Sequence, residues 1–253
     1  MARKKKKKFA AAVVATALCL CIISALFYYA RTKFTGSRVH YPEFGIRMPK
    51  KYGIHGIDVS RYQKNISWDL VKNMQVRDIR IGFAFIKATE GISITDRHFK
   101  RNWKRCGEAG LPRGAYHYFI PSIRGDKQAS YFIRNVKLSP GDLPPVLDIE
   151  ETAGVPARQM VNNIKEWLRI VEDFYGVRPI IYSSPHFYRQ YLTGEFETYP
   201  LWIAHYETDV PRIGRKWDFW QHNERGRVNG IDAFVDFNVF VGDSAAFWKM
   251  LVK

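Results

Sequence analysis

Cysteine is scarce in this sequence. It has three cysteines, and Cys19 and Cys21 both lie in an apolar run near the N-terminus. Cys106 is then the single thiol of the remaining chain, which excludes an internal disulfide there, so the fold has to be stabilised by a packed core. Roughly two hundred residues remain beyond the N-terminal segment, enough for one domain with a substantial core.

Acidic residues are almost absent from the first 51 positions. Twelve Lys and Arg stand there against Glu43 alone, which accounts for +11 of the formal net charge of +16. The rest of the chain has 28 basic and 23 acidic residues and shows neither zinc-finger spacing nor a basic helix, so nucleic-acid binding is not predicted. A mildly positive surface would suit an anionic polymer such as peptidoglycan, and ordinary solubility is the alternative interpretation.

Charge is also absent from residues 9–30, which follow six consecutive basic residues at 3–8. As a helix this run is about 33 Å long and matches a bilayer, and the preceding basic block predicts a cytoplasmic N-terminus. A cleavable signal peptide is the alternative, although its apolar core would be shorter. We therefore predict a basic cytoplasmic tail (1–8), a single-pass transmembrane signal-anchor (9–30), a linker (31–51), and a main domain (52–253) in the periplasm or at the cell surface.

Short apolar runs alternate with helical patterns in the main domain. Helices are predicted near residues 67–74, 96–110, 126–136 and 156–175, all among the earlier strands. The pattern predicts an α/β fold, an irregular TIM-like (β/α)5(β)3 barrel preceded by the transmembrane helix. The predicted strands cover residues 53–60, 79–89, 113–119, 144–150, 178–183, 201–206, 217–222 and 234–240.

Two carboxylates end the fourth predicted strand. Asp148 and Glu150 are two residues apart, so on a strand they share one face, with α-carbons about 6.5–7 Å apart. Carboxyls this close disfavour joint ionisation, which would supply an acid and a base for glycoside hydrolysis. The alternative is that these acidic residues simply begin the following loop.

Two further carboxylates occupy similar positions. Asp58 ends the first predicted strand, although alone it could be a helix or turn cap. Asp236 lies between apolar neighbours in the last strand, where an acid is costly unless it is paired or functional. Asp232 is the competing candidate for that role.

Seven motifs occur in an order that resembles glycoside hydrolase family 25, the Chalaropsis-type lysozymes. The resemblance covers residues from about 54 to 248, essentially the whole main domain. The motifs are GIDVSRYQ (56–63), FIKATEG (85–91), GAYHYF (114–119), PPVLDIE (144–150), LWIAHY (201–206), FWQH (219–222) and VDFNVF (235–240).

The resemblance implies an irregular β/α barrel with N-acetylmuramidase activity on peptidoglycan glycan strands, without a metal or an organic cofactor. Glu150 would be the general acid/base with Asp148 beside it, and Asp58 and Asp236 would complete an acidic cluster. By the same resemblance, six residues would line the sugar groove: Tyr116, Tyr118, Trp202, Tyr206, Trp220 and Gln221. The histidines His55, His117 and His205 are interpreted as core or groove residues, because no metal-ligand spacing links them.

Two other functions remain open from the sequence. One is a catalytically inactive protein that binds the cell wall, and the other is a glycosidase acting on chitin or another N-acetylated glycan. Retention of Asp58, Asp148, Glu150 and Asp236 argues against the first. Residue patterns alone do not separate the second from a lysozyme.

Overall fold

The computed structural model describes Thr16, residues 19–25 and residues 37–253. Its contacts divide the chain into two units, residues 1–39 and 40–253. In the first unit, Thr16 and residues 19–25 are helical; the predicted tail over 1–8 and much of the predicted anchor over 9–30 lie outside the described residues. No helix within the described part of the chain combines the length and the apolar character that a membrane crossing requires.

The segment predicted to be a linker is partly ordered structure. Strand β1 (Arg38–Tyr41) pairs with β2 (Ile46–Pro49), and Pro42 and Gly45 form the turn between them. Gly45 adopts φ +68°, a conformation that favours glycine. Phe44 is fully buried, and its ring packs edge-on against that of Phe237 at 5.2 Å. The folded domain therefore begins before residue 52, because proline and glycine here make a turn and not a flexible connection.

Eight strands close into a barrel, as the sequence predicts, within a mixed α/β domain. The strands in chain order are β3 (Ile54–Val59), β4 (Gln75–Val76), β5 (Ile79–Glu90), β6 (Ile94–Thr95), β7 (Arg113–Tyr118), β8 (Val146–Asp148), β9 (Ile180–Ser183), β10 (Leu201–Ala204), β11 (Phe219–Gly226) and β12 (Val235–Phe240). In the barrel, β3 pairs with β5 and closes a sheet whose order is β3-β12-β11-β10-β9-β8-β7-β5. Two short strands, β4 and β6, pair with β5 outside this circle.

The last strand differs from the parallel arrangement that the sequence suggests. Barrel strands β3, β5 and β7 to β11 run parallel to their neighbours, whereas β12 is antiparallel to both β11 and β3. Only residues 227–234 separate β11 from β12, too few for a crossover helix, so the chain returns in the opposite direction. As a result, the N-terminal end of β12 lies beside the C-terminal end of β3.

Helices fill the earlier connections of the barrel. The helices of the domain are α1 (Trp68–Asn73), α2 (Phe99–Glu108), α3 (Gly125–Asn135), α4 (Ala157–Tyr175), α5 (Pro185–Phe187), which continues into a π-helical turn (Tyr188–Leu192), and α6 (Ser244–Met250). The longest, α4, has Pro156 before its first residue and Gly176 at φ +68° after its last, which are common residues at helix ends. The last barrel strand is followed by α6.

Aromatic side chains fill the barrel interior. Trp202 stacks on Phe85 with ring centroids 4.4 Å apart, and Phe83 and Phe219 pack edge-on beneath them. A Cβ at Gly56 would meet the Phe83 ring at 2.4 Å, so glycine at this position makes room for that ring. The aromatic side chains therefore form a closely packed layer inside the barrel. Above this layer, the next inward-facing positions toward the mouth carry polar side chains.

Candidate active site

Four carboxyl groups meet at the mouth of the barrel. Asp148 is the last residue of β8, and Glu150 follows two residues beyond the strand. Asp58 on β3 lies directly opposite Asp236 on β12 in the strand register. The sequence predicts all four as catalytic residues, and the antiparallel direction of β12 is what brings Asp236 to this end of the barrel.

Asp58 and Asp236 form a hydrogen-bonded carboxyl pair. Oδ2 of Asp58 accepts hydrogen bonds from Asn238 Nδ2 at 2.7 Å and Gln221 Nε2 at 2.8 Å. Burial raises the pKa of Asp58 to about 6, against the effect of these bonds and of one from Asp236. Burial and the adjacent charge of Asp58 raise the pKa of Asp236 to about 9. At neutral pH, Asp236 therefore keeps its proton and donates a hydrogen bond to an ionised Asp58.

The two amides beside Asp58 have fixed orientations. Trp202 Nε1 donates to Asn238 Oδ1 at 2.8 Å, so the amide nitrogen of Asn238 has to face the carboxylate. The hydroxyls of Tyr182 and Tyr206 donate to Gln221 Oε1 at 2.9 and 2.6 Å, with the same consequence for Gln221. Trp202 and Gln221, predicted to line the groove, are 2% and 3% exposed, and they position the acidic pair from below.

Asp148 and Glu150 differ in their access to solvent. Asp148 is 6% exposed, whereas Glu150 is exposed at the mouth. Burial, and next the charge of Glu150, raise the pKa of Asp148 well above its usual range. Loss of surrounding water also raises the pKa of Glu150, against the effect of a hydrogen bond with Tyr182. Both carboxyls therefore retain a proton more readily than ordinary acids, and Asp148 Oδ1 is buried without a hydrogen-bond partner in the described structure.

Lys87 is the cation next to these acids, and the sequence analysis did not identify it. Its Nζ lies 2.8 Å from Glu90 Oε2 and 4.7 Å from the centre of the Tyr118 ring. Its charge lowers the pKa of both Asp148 and Glu150. Residues two apart on a strand face the same side, so Lys87 points into the barrel as the buried Phe85 does. A lysine at an inward position of an apolar strand was the sequence signal that could have identified it.

Tyr182 and Asn238 are two further residues of the site that were not predicted from the sequence. Each occupies an inward position near the mouth, on β9 and β12, and each contacts a residue of the acidic cluster. A polar residue at the mouth end of an apolar strand was the signal for both.

The predicted aromatic residues take different positions. Tyr116 and Tyr118 are half-buried, and the ring of Tyr116 meets that of Trp202 edge-on at 6.5 Å. Tyr206 is 37% exposed, so its ring is open to a ligand while its hydroxyl binds Gln221. These three tyrosines and the acidic cluster share one face of the barrel.

Trp220 does not join this group. It is fully buried, its Nε1 donates to His205 O at 2.7 Å, and its ring packs edge-on against those of Tyr52 and Trp217. Because Gln221 faces the barrel interior, the preceding residue of the strand faces outward. Trp220 is therefore part of the outer packing, and its predicted place in the sugar groove is wrong.

His117 has a structural role in the core. His117 is fully buried and forms hydrogen bonds with Thr89 Oγ1 at 2.7 Å and Gln128 Oε1 at 3.2 Å. Over the described residues, no group of three or more His, Cys, Asp or Glu has an arrangement that could hold a metal ion.

The mouth of this closed barrel carries two pairs of carboxyl groups, which can supply the acid and the base that glycoside hydrolysis requires. The sequence profile of "Glycosyl hydrolases family 25" matches residues 57–231. The chain belongs to this family, which confirms the resemblance seen in the seven motifs. Because relatives within the family are lysozymes and muramidases, the chain is a peptidoglycan-hydrolysing lysozyme.

Similar proteins agree with this membership. "Uncharacterized protein YegX" from Escherichia coli (strain K12) is 46% identical over 85% of this chain and 82% of that protein. "Lysozyme M1" from Streptomyces globisporus is 34% identical over 76% of this chain and 69% of its own length. The structure of a family 25 glycosyl hydrolase from Bacillus anthracis superposes with a TM-score of 0.73, at 32% identity over 83% of this chain and 99% of that one.

Proposed function

We propose that the acidic cluster cleaves the β-1,4 bond from N-acetylmuramic acid to N-acetylglucosamine by substrate-assisted hydrolysis with retention. Glu150 donates the proton to the leaving oxygen. Asp148 binds the 2-acetamido group of the muramic acid, whose carbonyl oxygen attacks the anomeric carbon as the bond to the leaving oxygen breaks. Water then opens the resulting oxazolinium ion with a second inversion and gives its proton to Glu150, which restores the acid. Asp58, with Asp236, holds the amides beneath the sugar and keeps the negative charge of the cluster in a fixed place.

The unsatisfied Oδ1 of Asp148 is the observation that carries this mechanism. A buried acceptor without a partner is costly, and a turn of the Asp148 carboxyl toward the mouth on sugar binding would give this oxygen an acetamido N–H as its donor. Asp148 and Glu150 come from one strand end, so they approach the sugar from the same side. Attack on the far face by a second carboxylate is then awkward, whereas a nucleophile within the substrate removes the need for it.

Substrate binding would also distribute the proton between the two acids. Burial favours the proton on Asp148 before the sugar binds. A hydrogen bond from the acetamido N–H stabilises the ionised form of Asp148 and lowers its pKa, with help from the charge of Lys87. The proton is then favoured on Glu150, where the leaving oxygen needs it.

Asp148→Asn tests the mechanism together with product stereochemistry. The amide cannot stabilise positive charge on the acetamido nitrogen, so cleavage should slow by at least about a hundredfold, while no covalent glycosyl-enzyme accumulates. Proton NMR of the wild-type product, recorded within minutes, should show the β anomer first. An initial α anomer would indicate inversion with a water-activating base, and the substrate-assisted scheme would then be wrong.

Mass spectrometry of digested peptidoglycan tests the bond that is cut. A muramidase leaves muramic acid at every new reducing end. Reducing-end glucosamine would instead assign the enzyme to another bond. Wall binding without any new reducing ends would indicate an inactive wall-binding protein.

The location of the enzyme is proposed from the sequence. Six basic residues followed by 22 uncharged residues support a signal-anchor over 9–30 that holds the catalytic domain outside the cytoplasm, where its polymer substrate is found.

A further inference from the structure

A hollow of about 350 Å³ opens on the catalytic side of the barrel, next to the end of β3. Asp58 and Arg61 are three residues apart, so their α-carbons are at most about 11 Å apart. On the other side, β6 pairs with the end of β5, which carries Lys87 and Glu90. The hollow is lined by Arg61, Tyr62, Lys64, Thr95, Asp96 and Arg97.

The hollow carries three cations and one acid, so its net charge is positive. Arg61, Lys64 and Arg97 have no ion-pair partner among residues 37–253, and the one acid in the lining is already engaged. Both oxygens of Asp96 accept backbone N–H groups, from Arg61 at 2.6 Å and from His98 at 2.9 Å. Three exposed cations therefore surround a concave space whose carboxylate is held by the main chain.

The neighbouring residues connect this hollow to the catalytic cluster. The guanidinium of Arg61 lies over the ring of Tyr62, 5.3 Å from its centre, and the Tyr62 side chain is 70% exposed. The hydrogen bond from Arg61 lowers the pKa of Tyr62, and the charges of Lys87 and Glu90 also reach this hydroxyl. Lys87 in turn lowers the pKa of Asp148 and Glu150, so one lysine lies within electrostatic reach of both the acidic cluster and the residues of the hollow.

This charge distribution fits one part of the substrate. Muramic acid carries a lactyl ether, and its carboxyl group is joined to a short peptide with free carboxylates. Such a polymer is repelled by the acidic mouth and attracted by cations next to it. An extended stem of four residues spans about 14 Å, enough to reach from a sugar at the mouth to the hollow.

We propose that the hollow formed by Arg61, Lys64 and Arg97 binds a carboxylate of the peptide carried by muramic acid. Guanidinium groups suit this ligand because they form paired hydrogen bonds with carboxylates. The assignment rests on the proposed muramidase activity and adds the part of the substrate that is recognised. It makes the enzyme selective for glycan strands that still carry their peptides.

The test compares three soluble substrates: peptide-bearing strands, the same strands after removal of the peptide by an amidase, and stripped strands whose lactyl carboxyls have been amidated. The readout is kcat/KM for release of reducing ends. Wild-type enzyme should favour the peptide-bearing strands over the stripped ones. In Arg61→Ala/Arg97→Ala, the ratio of these two values should fall by about tenfold, the size expected for loss of a charge-assisted hydrogen bond.

Two further variants separate recognition from folding. Lys64 has φ +53° and ψ −129°, which glycine adopts without strain, so Lys64→Gly removes the cation without destabilising the turn and should also lower the ratio. Lys104→Ala/Arg105→Ala removes the same charge from exposed residues that pair with Glu108, and it should leave the ratio unchanged.

Each other outcome contradicts a stated part of the proposal. The assignment of the hollow is overturned if the Arg61/Arg97 variant keeps the wild-type ratio of kcat/KM on peptide-bearing strands to kcat/KM on stripped strands. It is also overturned if this ratio falls equally in the Lys104/Arg105 variant. The Arg61/Arg97 variant could instead lose the same factor in kcat/KM on peptide-bearing and on stripped strands, and lose nothing on amidated strands. The ligand of the hollow would then be the lactyl carboxylate, and the assignment to the peptide would be wrong. Failure of wild-type enzyme to cut any of the three would instead contradict muramidase activity itself, and the hollow would lose its ligand with it.

Discussion

Glu150 is the one carboxyl of the four that is exposed to solvent and therefore open to a polymeric substrate. Its surroundings raise its pKa, which keeps a proton available for the leaving oxygen. A positioned acid of this kind contributes roughly 10²–10⁴-fold to the rate. Glu150→Gln should therefore keep the fold and wall binding but lose at least about a hundredfold in kcat.

The matched control for this variant is Glu151→Gln, at the exposed neighbouring position. It should stay within a few-fold of the wild-type rate. A Glu150→Gln protein with an unchanged melting curve and near wild-type hydrolysis would show that Glu150 is not the proton donor.

Lys87 should control the pH range of the enzyme. Its charge lowers the pKa of both Asp148, required as an anion, and Glu150, required as an acid. Lys87→Gln removes this charge, so both pKa values rise and both limbs of the plot of kcat/KM against pH should move to higher pH. Lys104→Gln, which removes a lysine paired with Glu108 at 3.7 Å, is the control with an unchanged profile. A profile of Lys87→Gln that stays in place or moves to lower pH would contradict this electrostatic role.

At the scale of elements, the contact between helices α3 and α4 depends on one glycine. A Cβ at Gly125 would lie 2.0 Å from the backbone oxygen of Asn163 and 3.0 Å from the backbone nitrogen of Trp167. Backbone atoms cannot move aside as a flexible side chain can, so Gly125→Ala should force the helices apart at a cost of roughly 1–3 kcal/mol.

For a domain of this size, that cost lowers the melting temperature by roughly 2–12 °C, which differential scanning calorimetry would measure. Gly53→Ala is the control, because a Cβ there has no neighbour within 4 Å and the glycine does not have a positive φ. Equal melting temperatures for the two variants would show that α3 and α4 do not need this close approach.

Sequence patterns predict elements well where the signal is local. The strand and helix patterns of the main domain depend on neighbouring residues, and Gly176 ends α4 as its position in the sequence predicts. The helix predicted from residue 96 begins later, at Phe99, and one carboxyl oxygen of Asp96 accepts a hydrogen bond from the backbone of Arg61, far away in the sequence. A partner 35 residues distant leaves no trace in the local pattern.

At the scale of the whole molecule, the distribution of charge along the chain predicts its topology. The basic block at 3–8 and the uncharged run at 9–30 predict that the intact protein remains in the membrane fraction after a high-salt wash. A C-terminal alkaline phosphatase fusion should be active, because the catalytic domain would be outside the cytoplasm. An inactive phosphatase with an active cytoplasmic reporter at the same site would reverse the topology, and soluble protein beginning near residue 31 would indicate cleavage.

The sequence by itself determined the class of fold and the family, and it predicted the four carboxyl residues that the fold brings together. It could do so because strand periodicity is local and because Asp58, Asp148 and Asp236 lie in short motifs at strand ends. The same locality explains its error at Trp220, since the motif gives the residue but not the side of the sheet it faces.

Tertiary structure alone decided how these residues work together. The antiparallel return of β12 brings Asp236 to Asp58, and the shared burial of the pair leaves a proton on Asp236. The amide orientations beside Asp58, the isolated oxygen of Asp148 and the cationic hollow at Arg61 likewise depend on contacts between distant segments. Protonation and recognition follow from distances and from exclusion of water, and both are properties of the folded chain.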